Sequence, residues 1–156
     1  MRLSEVKSGL LLWGVPSHQG MTEIIRDMQA EKGMLVLVPE MMPHCLGLTI
    51  AKRLQEKGIR CAYTTDNMLG VLFYKNKVET LMFFYKKLAN HHVVGICGSL
   101  YVSLLAHLHH VPIKLRQGET LVQSTHATSV LDRHLRVQYN EMIKTGDESI
   151  PLDIIQ

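Results

Sequence analysis

A chain of 156 residues has the length of one domain, enough to bury a core without disulfides or metals as staples. Hydrophobic residues at 46% and charged residues at 20% exclude a disordered chain. A formal net charge of +3, from 17 basic and 14 acidic residues, falls short of the basic footprint of a nucleic-acid-binding protein and fits a mixed, solvated surface.

Leu10, Leu11, Leu12, Trp13, Gly14 and Val15 form the first apolar run, short enough for a buried strand, and residues 16–20 break it. Met21, Ile24, Ile25 and Met28 then recur at i, i+3, i+4 and i+7, which predicts a helix with one apolar face. Lys32 and Gly33 are its stop signal, a cation in the last turn and glycine after it. Residues 34–38 are continuously apolar, as a strand covered on both faces is. A loop with Pro39 and Pro43 leads to a helix with Ile50, Ala51 and Leu54 inward and Lys52, Arg53, Gln55 and Glu56 outward, stopped by Lys57 and Gly58. Residues 61–64 predict a third strand, and Asp66 is placed to cap a helix beginning near Asn67. A fourth strand is expected over 81–84. A helix over 99–109 carries Leu100, Leu104 and Leu108 on one stripe, and a fifth strand over 112–115 has proline at its entry. Past Arg116 the rhythm weakens, with a strand over 120–123 and a partly helical stretch over 129–143. Strand, loop and helix alternate about every 25 residues, which predicts an α/β, Rossmann-like three-layer fold with a mostly parallel central sheet. Residues 1–156 are expected to form a single domain of this type.

Three cysteines, Cys45, Cys61 and Cys97, are an odd number without a Cys-x-x-Cys pair, so a disulfide framework is not expected and a reducing, cytoplasmic setting is. No apolar run approaches the roughly 18 residues that cross a membrane. The apolar stretch at 9–15 is short and lacks a cleavage site, unlike a signal peptide.

Open α/β sheets bind ligands outside the carboxyl ends of their strands, which directs attention to loops 16–20, 39–47, 65–67, 85–97 and 116–119. Gly14 and Gly20 have the wrong spacing for a dinucleotide fingerprint, and no P-loop occurs, so no cofactor is implied. Ser17 and His18 stand at a helix N-terminus, where a phosphate binds, but an ordinary surface turn uses the same residues. Among nine histidines, His107 and His110 have one-face helical spacing without a third ligand. Histidines at a helix C-terminus also suit its dipole, and no metal site is expected. Cys45 adjoins His44, and Cys97 opens a helix whose dipole favours thiolate, although buried, inert cysteine is the commoner outcome. Lys86 and Lys87 follow the fourth strand, either as an anion site or as a solvated pair.

From Leu10 to about Leu115 the chain resembles the C-terminal domain of the translation initiation factor 2B alpha/beta/delta family. That family includes methylthioribose-1-phosphate isomerase and ribose-1,5-bisphosphate isomerase. Val38-Pro39-Glu40-Met41-Met42-Pro43-His44-Cys45-Leu46-Gly47 is similar to the family's Glu-(Ser/Thr)-Arg-Pro segment with its later glycine. Gly58-Ile59-Arg60-Cys61-Ala62-Tyr63-Thr64-Thr65-Asp66 is similar to its Gly-Ile-Pro-Val-Thr-Leu-Ile-Thr-Asp segment. Cys97-Gly98-Ser99, Leu104-Leu105-Ala106 and His110-Val111-Pro112-Ile113 resemble its Ile-Gly-Thr helix and the strand after it. The family's N-terminal helical domain is expected to be absent.

The resemblance also implies which residues are replaced. The isomerases carry a cysteine after the first strand of this domain, where Trp13-Gly14-Val15 stands here, and an aspartate after the fourth, where Lys86 stands. Their phosphate-binding arginine corresponds to Met42, and their Asn-Lys pair to Gly95-Ile96. Together these losses predict a non-catalytic binding or regulatory module, expected to be a homodimer. Met41 and Met42 would offer apolar contact at the strand end to a partner or an altered ligand. The alternative is a diverged aldose–ketose sugar-phosphate isomerase. Its anion site would be Lys86, Lys87, Lys114, Arg116 and His18, and its base Glu40 or Asp66. The candidate ligand-binding residues are His18, Glu40, Met42, Asp66, Lys86, Lys87, Gly98 and Ser99, with no catalytic residue assigned. A small phosphorylated ligand and a protein are the expected partners, and neither a membrane nor nucleic acid is.

Overall fold

The leucine run becomes β1 (Gly9–Trp13), and its five residues are buried because strands flank it on both sides. A computed structural model describes residues 3–31, 33–120 and 146–156 of the chain. After β1 come α1 (His18–Ala30), β2 (Leu35–Pro39), α2 (Leu46–Glu56) and β3 (Cys61–Thr64). A 3-10 turn over Asp66–Met68 leads into α3 (Leu69–Tyr74) and β4 (Val78–Tyr85). Next are β5 (Lys87–Ala89), β6 (His92–Gly95), α4 (Ser99–Leu108) and β7 (Ile113–Gln117). The chain closes on β8 (Glu148–Pro151) and α5 (Leu152–Ile155).

The main sheet has the order β3-β2-β1-β4-β7, and every pairing in it is parallel. β2 is buried along its length like β1, whereas the edge strands β3 and β7 are partly exposed. Such burial on both faces is why the inner strands read as unbroken apolar runs. Leu10, Val36 and Cys61 share one register row and so one face. Leu10 lines a gap with Ile24 and Met28 of α1, and the Cys61 thiol donates to the Ala51 carbonyl of α2 at 3.6 Å, so α1 and α2 cover this face. Trp13 points the other way and meets Ser99 of α4, against which α3 packs. Three layers result, the expected α/β architecture. From β1 the order runs through β2 and β3 on one side and through β4 and β7 on the other, so the topological switch lies between β1 and β4.

Several local expectations change. Loop 85–97 contains the hairpin β5–β6, and β8 pairs antiparallel with β6 to make a second, three-stranded sheet. Asp66 does not cap the turn it opens; its carboxylate reaches back across 25 residues to the β2 loop. In α4 the buried residues are Ser99, Val102, Ser103 and Ala106, so the Leu100, Leu104 and Leu108 stripe faces outward. Small side chains let the helix lie close on the sheet, which leaves the leucines no room beneath it. Lys32, the stretch 129–143 and all of 120–123 except Thr120 lie outside the described residues.

Candidate functional site

The carboxyl ends of β2 and β3 are tied together by side chains. Met41 adopts φ 56 two residues past the end of β2 and is wholly buried, so it belongs to the core and offers no surface to a partner, contrary to expectation. Met42 is half-buried and precedes Pro43 through a cis peptide bond. Asp66 accepts from the N–H of Met41 at 2.9 Å on Oδ1 and from that of Met42 at 2.8 Å on Oδ2. Glu40 returns the link, its Oε1 accepting from the Asp66 N–H at 3.2 Å, while its own N–H donates to the Thr64 carbonyl at 2.8 Å. These bonds satisfy backbone groups that the end of a parallel ladder leaves open. The Cys45 thiol donates to Met42 Sδ at 3.3 Å. Glu40, Met42 and Asp66 therefore form one cluster, but its carboxylate oxygens hold backbone.

A second cluster lies where α4 opens. The buried Trp13 indole N–H donates to Ser99 Oγ at 3.0 Å. Gly98 takes φ 85, and a Cβ there would stand 2.7 Å from Trp13 Cζ2, so both conformation and space call for glycine. The first turn of α4 leaves N–H groups without intrahelical partners, a natural anion cradle. Glu148 of β8 occupies it: Oε1 accepts from the Gly98 N–H at 2.8 Å and Oε2 from the Leu100 N–H at 2.7 Å. Cys97 sits beside this carboxylate. Burial first, and then the Glu148 charge, push its thiol pKa up. A helix dipole at this position favours thiolate, and the neighbouring carboxylate and partial burial outweigh it.

Beyond β4, Lys86 Nζ forms an ion pair with Asp147 Oδ1 at 2.6 Å, and the Lys86 N–H donates to the Val94 carbonyl. Lys87 is exposed on β5. Both lysines line a groove of about 530 Å³ together with Tyr85, Val94, Gln117 and Asp147. His18 lies exposed on the first turn of α1, where Ser17 Oγ already accepts from the Gly20 N–H at 3.1 Å. The structure thus joins Glu40, Met42 and Asp66 in one group, and Gly98 and Ser99 in another. Lys86 and Lys87 border the groove, and His18 stands on α1. Sequence reasoning did not single out Asp147 and Glu148, because nothing in the short stretch before Pro151 marks it as the strand that delivers them. Among the described residues, no group of three or more His, Cys, Asp or Glu side chains is placed to hold a metal, and no helix is long and apolar enough to cross a membrane.

Residues 7–115 match the protein family described as the initiation factor 2 subunit family. No curated protein matches the chain. Among solved structures, 5-methylthioribose 1-phosphate isomerase from Pyrococcus horikoshii superposes with a TM-score of 0.73 at 14% identity, covering 97% of this chain and 49% of that one. The translation initiation factor eIF-2B of the same organism gives 0.69 at 14% identity, with 96% and 55% covered. The delta subunit of eIF-2B from A. fulgidus gives 0.70 at 18% identity, with 97% and 52% covered. At such identities the likeness is one of fold. The chain spans about half the length of these structures.

Proposed function

The chain belongs to the initiation factor 2 subunit family, and on that footing we propose that it is a non-catalytic binding or regulatory module of the translation initiation factor type, working in the cytoplasm. One observation carries this reading. Glu148 takes the Gly98 and Leu100 N–H groups, the donors that an anionic ligand would use at this end of an open α/β sheet. Lys86 is held in the same way by Asp147. By resemblance, Trp13-Gly14-Val15 stands where a cysteine is expected and Lys86 where an aspartate is, so the pair that would move a proton between sugar carbons is missing, and Met42 replaces the phosphate-binding arginine. Asp66 does not replace it, since both its oxygens hold the β2 loop.

The module's partner is a protein, with a second copy of the chain first in line. A small phosphorylated molecule is the ligand class that the groove beside Lys86 and Lys87 suits. That groove also favours the second reading, a diverged sugar-phosphate isomerase, because its volume of about 530 Å³ accommodates a phosphosugar.

Thermal-shift titration with methylthioribose 1-phosphate, ribose 1,5-bisphosphate and nucleotides, run beside a direct isomerisation assay, separates the two. The expected result is no turnover. A ligand that binds would add about 1.4 kcal/mol of stability at ten times its Kd. Isomerisation that Lys86→Ala abolishes overturns the non-catalytic reading.

A further inference from the structure

We propose that Met42 and Cys45 form a binding site for a soft monovalent metal ion, Cu(I), beyond the carboxyl end of β2. The Cys45 thiol donates to Met42 Sδ across 3.3 Å. A proton shared by two sulfurs marks a place where lone pairs of both converge on one cation. Thiolate and thioether are the ligands that select Cu(I) over hard cations. Zinc takes three or four N, O or S ligands, and among the described residues no group of three or more His, Cys, Asp or Glu side chains is placed to supply them. Cu(I) is held by two sulfurs alone, so ligand number and softness both point to it.

The loop holds both ligands ready. Asp66 accepts from the Met42 N–H at 2.8 Å and from the Met41 N–H beside it at 2.9 Å, so the backbone that carries the thioether is clamped before an ion arrives. Cys45 stands at the start of α2 with φ 51, a left-handed conformation that few residues other than glycine adopt. Its side chain makes no capping bond to the helix and is turned to Met42 instead. Both side chains are partly exposed, so an ion reaches them from solvent.

The surroundings favour a cation. Burial first, and then the charges of Glu40, Cys45 and Asp66, push the Tyr63 pKa up, so both carboxylates and the thiol act on one phenol from close by. Two carboxylates attract a monovalent cation and oppose a bare thiolate, whereas a thiolate paired with Cu(I) adds no net charge. Binding is an exchange. The Cys45 S–H bond breaks, its proton passes to water and a Cu–S bond forms, while Met42 adds a lone pair from its thioether. No electron changes hands. Two sulfurs around one ion stand further apart than 3.3 Å, and the unbranched methionine side chain, with its rotatable bonds, takes up the difference.

Anaerobic titration of the full chain with Cu(I), added as its acetonitrile complex, tests the site. Thiolate-to-copper charge-transfer absorption and native mass spectrometry follow the uptake. The wild type is expected to take up one Cu(I) per chain and to release one proton. Cys45→Ser is expected to lose that ion, and Cys61→Ser and Cys97→Ser to bind as the wild type does. Met42→Leu is expected to lose about tenfold or more in affinity, no less than losing a group that merely orients a metal ligand costs. Circular dichroism separates a lost site from a lost fold, and Met42→Leu, which keeps the side-chain volume, carries the test should Cys45→Ser not fold. No uptake by the wild type, uptake that survives Cys45→Ser, or an unchanged affinity in Met42→Leu each overturns the proposal. The binding-module reading stands apart from all of these outcomes.

Discussion

The Glu148 carboxylate accepts from the N–H of Gly98 at 2.8 Å, joining residues 50 positions apart in the chain. Its other oxygen accepts from Leu100, so the N-terminus of α4 is capped from β8 and not from its own sequence. The cap ties the small antiparallel sheet to the layer that covers β1 and β4, and it places a negative charge where the helix dipole is positive.

Removing this cap weakens the fold. Glu148→Ala is expected to cost about 1–2 kcal/mol, the range for losing a helix N-cap. Glu148→Gln, which keeps the oxygen and loses the charge, is expected to cost less. Equilibrium urea denaturation of the two variants beside the wild type measures both.

Ser99→Ala leaves the Trp13 indole N–H buried without an acceptor. A buried donor without a partner costs about 1–3 kcal/mol. Trp13 is the single tryptophan, so its fluorescence reports both the local change and the unfolding transition. Gly98→Ala is expected to destabilise the chain at least as much, because the new methyl group would meet the same indole at a positive φ.

The Asp66 clamp makes a local prediction. Asp66→Ala frees the Met41 and Met42 N–H groups, and hydrogen exchange at these two amides is expected to quicken more than exchange in β4. The loss in stability is expected at about 2–3 kcal/mol, since two hydrogen bonds to a charged group go together.

Alkylation follows the Cys97 shift. Its folded-state pKa is raised, by burial first and by Glu148 second, so thiolate forms only above the pH at which a thiol in the unfolded chain ionises. By linkage, the stability from keeping Cys97 protonated is fully present below the unfolded-chain pKa and is lost as pH rises through the folded one. Iodoacetamide labelling followed by mass spectrometry is expected to give a midpoint at higher pH for folded than for unfolded Cys97. Glu148→Gln is expected to lower the folded midpoint. A midpoint unchanged by Glu148→Gln would remove Glu148 as a cause.

Apolar periodicity alone leads to β1, β2 and a mostly parallel sheet, because strands buried on both faces and helices with one buried face leave those patterns in any local window; the order of the strands came only from the structure. The turns at Pro39 and Thr65 were legible for the same reason; Asp66 stood out by its turn position, and Glu40 only through the resemblance to the family's Glu-(Ser/Thr)-Arg-Pro segment. What Asp66 does was not legible. Its turn position suggested a cap, but the nearest open N–H groups in space belong to Met41 and Met42.

Local sequence by itself determined the layers of this protein, since period and turn chemistry are properties of neighbouring residues. Only the tertiary structure decided which backbone donors its carboxylates reach and which side of α4 meets the sheet. Glu148 finds Gly98, and Asp147 finds Lys86, because β8 pairs with β6, a register set by contacts distant in the chain. Helical spacing puts Leu100, Leu104 and Leu108 on one stripe without saying which way it faces; the stripe is the outer one, because Ser99, Ser103 and Ala106 are small enough to let the helix settle close over Trp13. Hydrophobicity marks a face as apolar; shape decides whether the chain itself covers it.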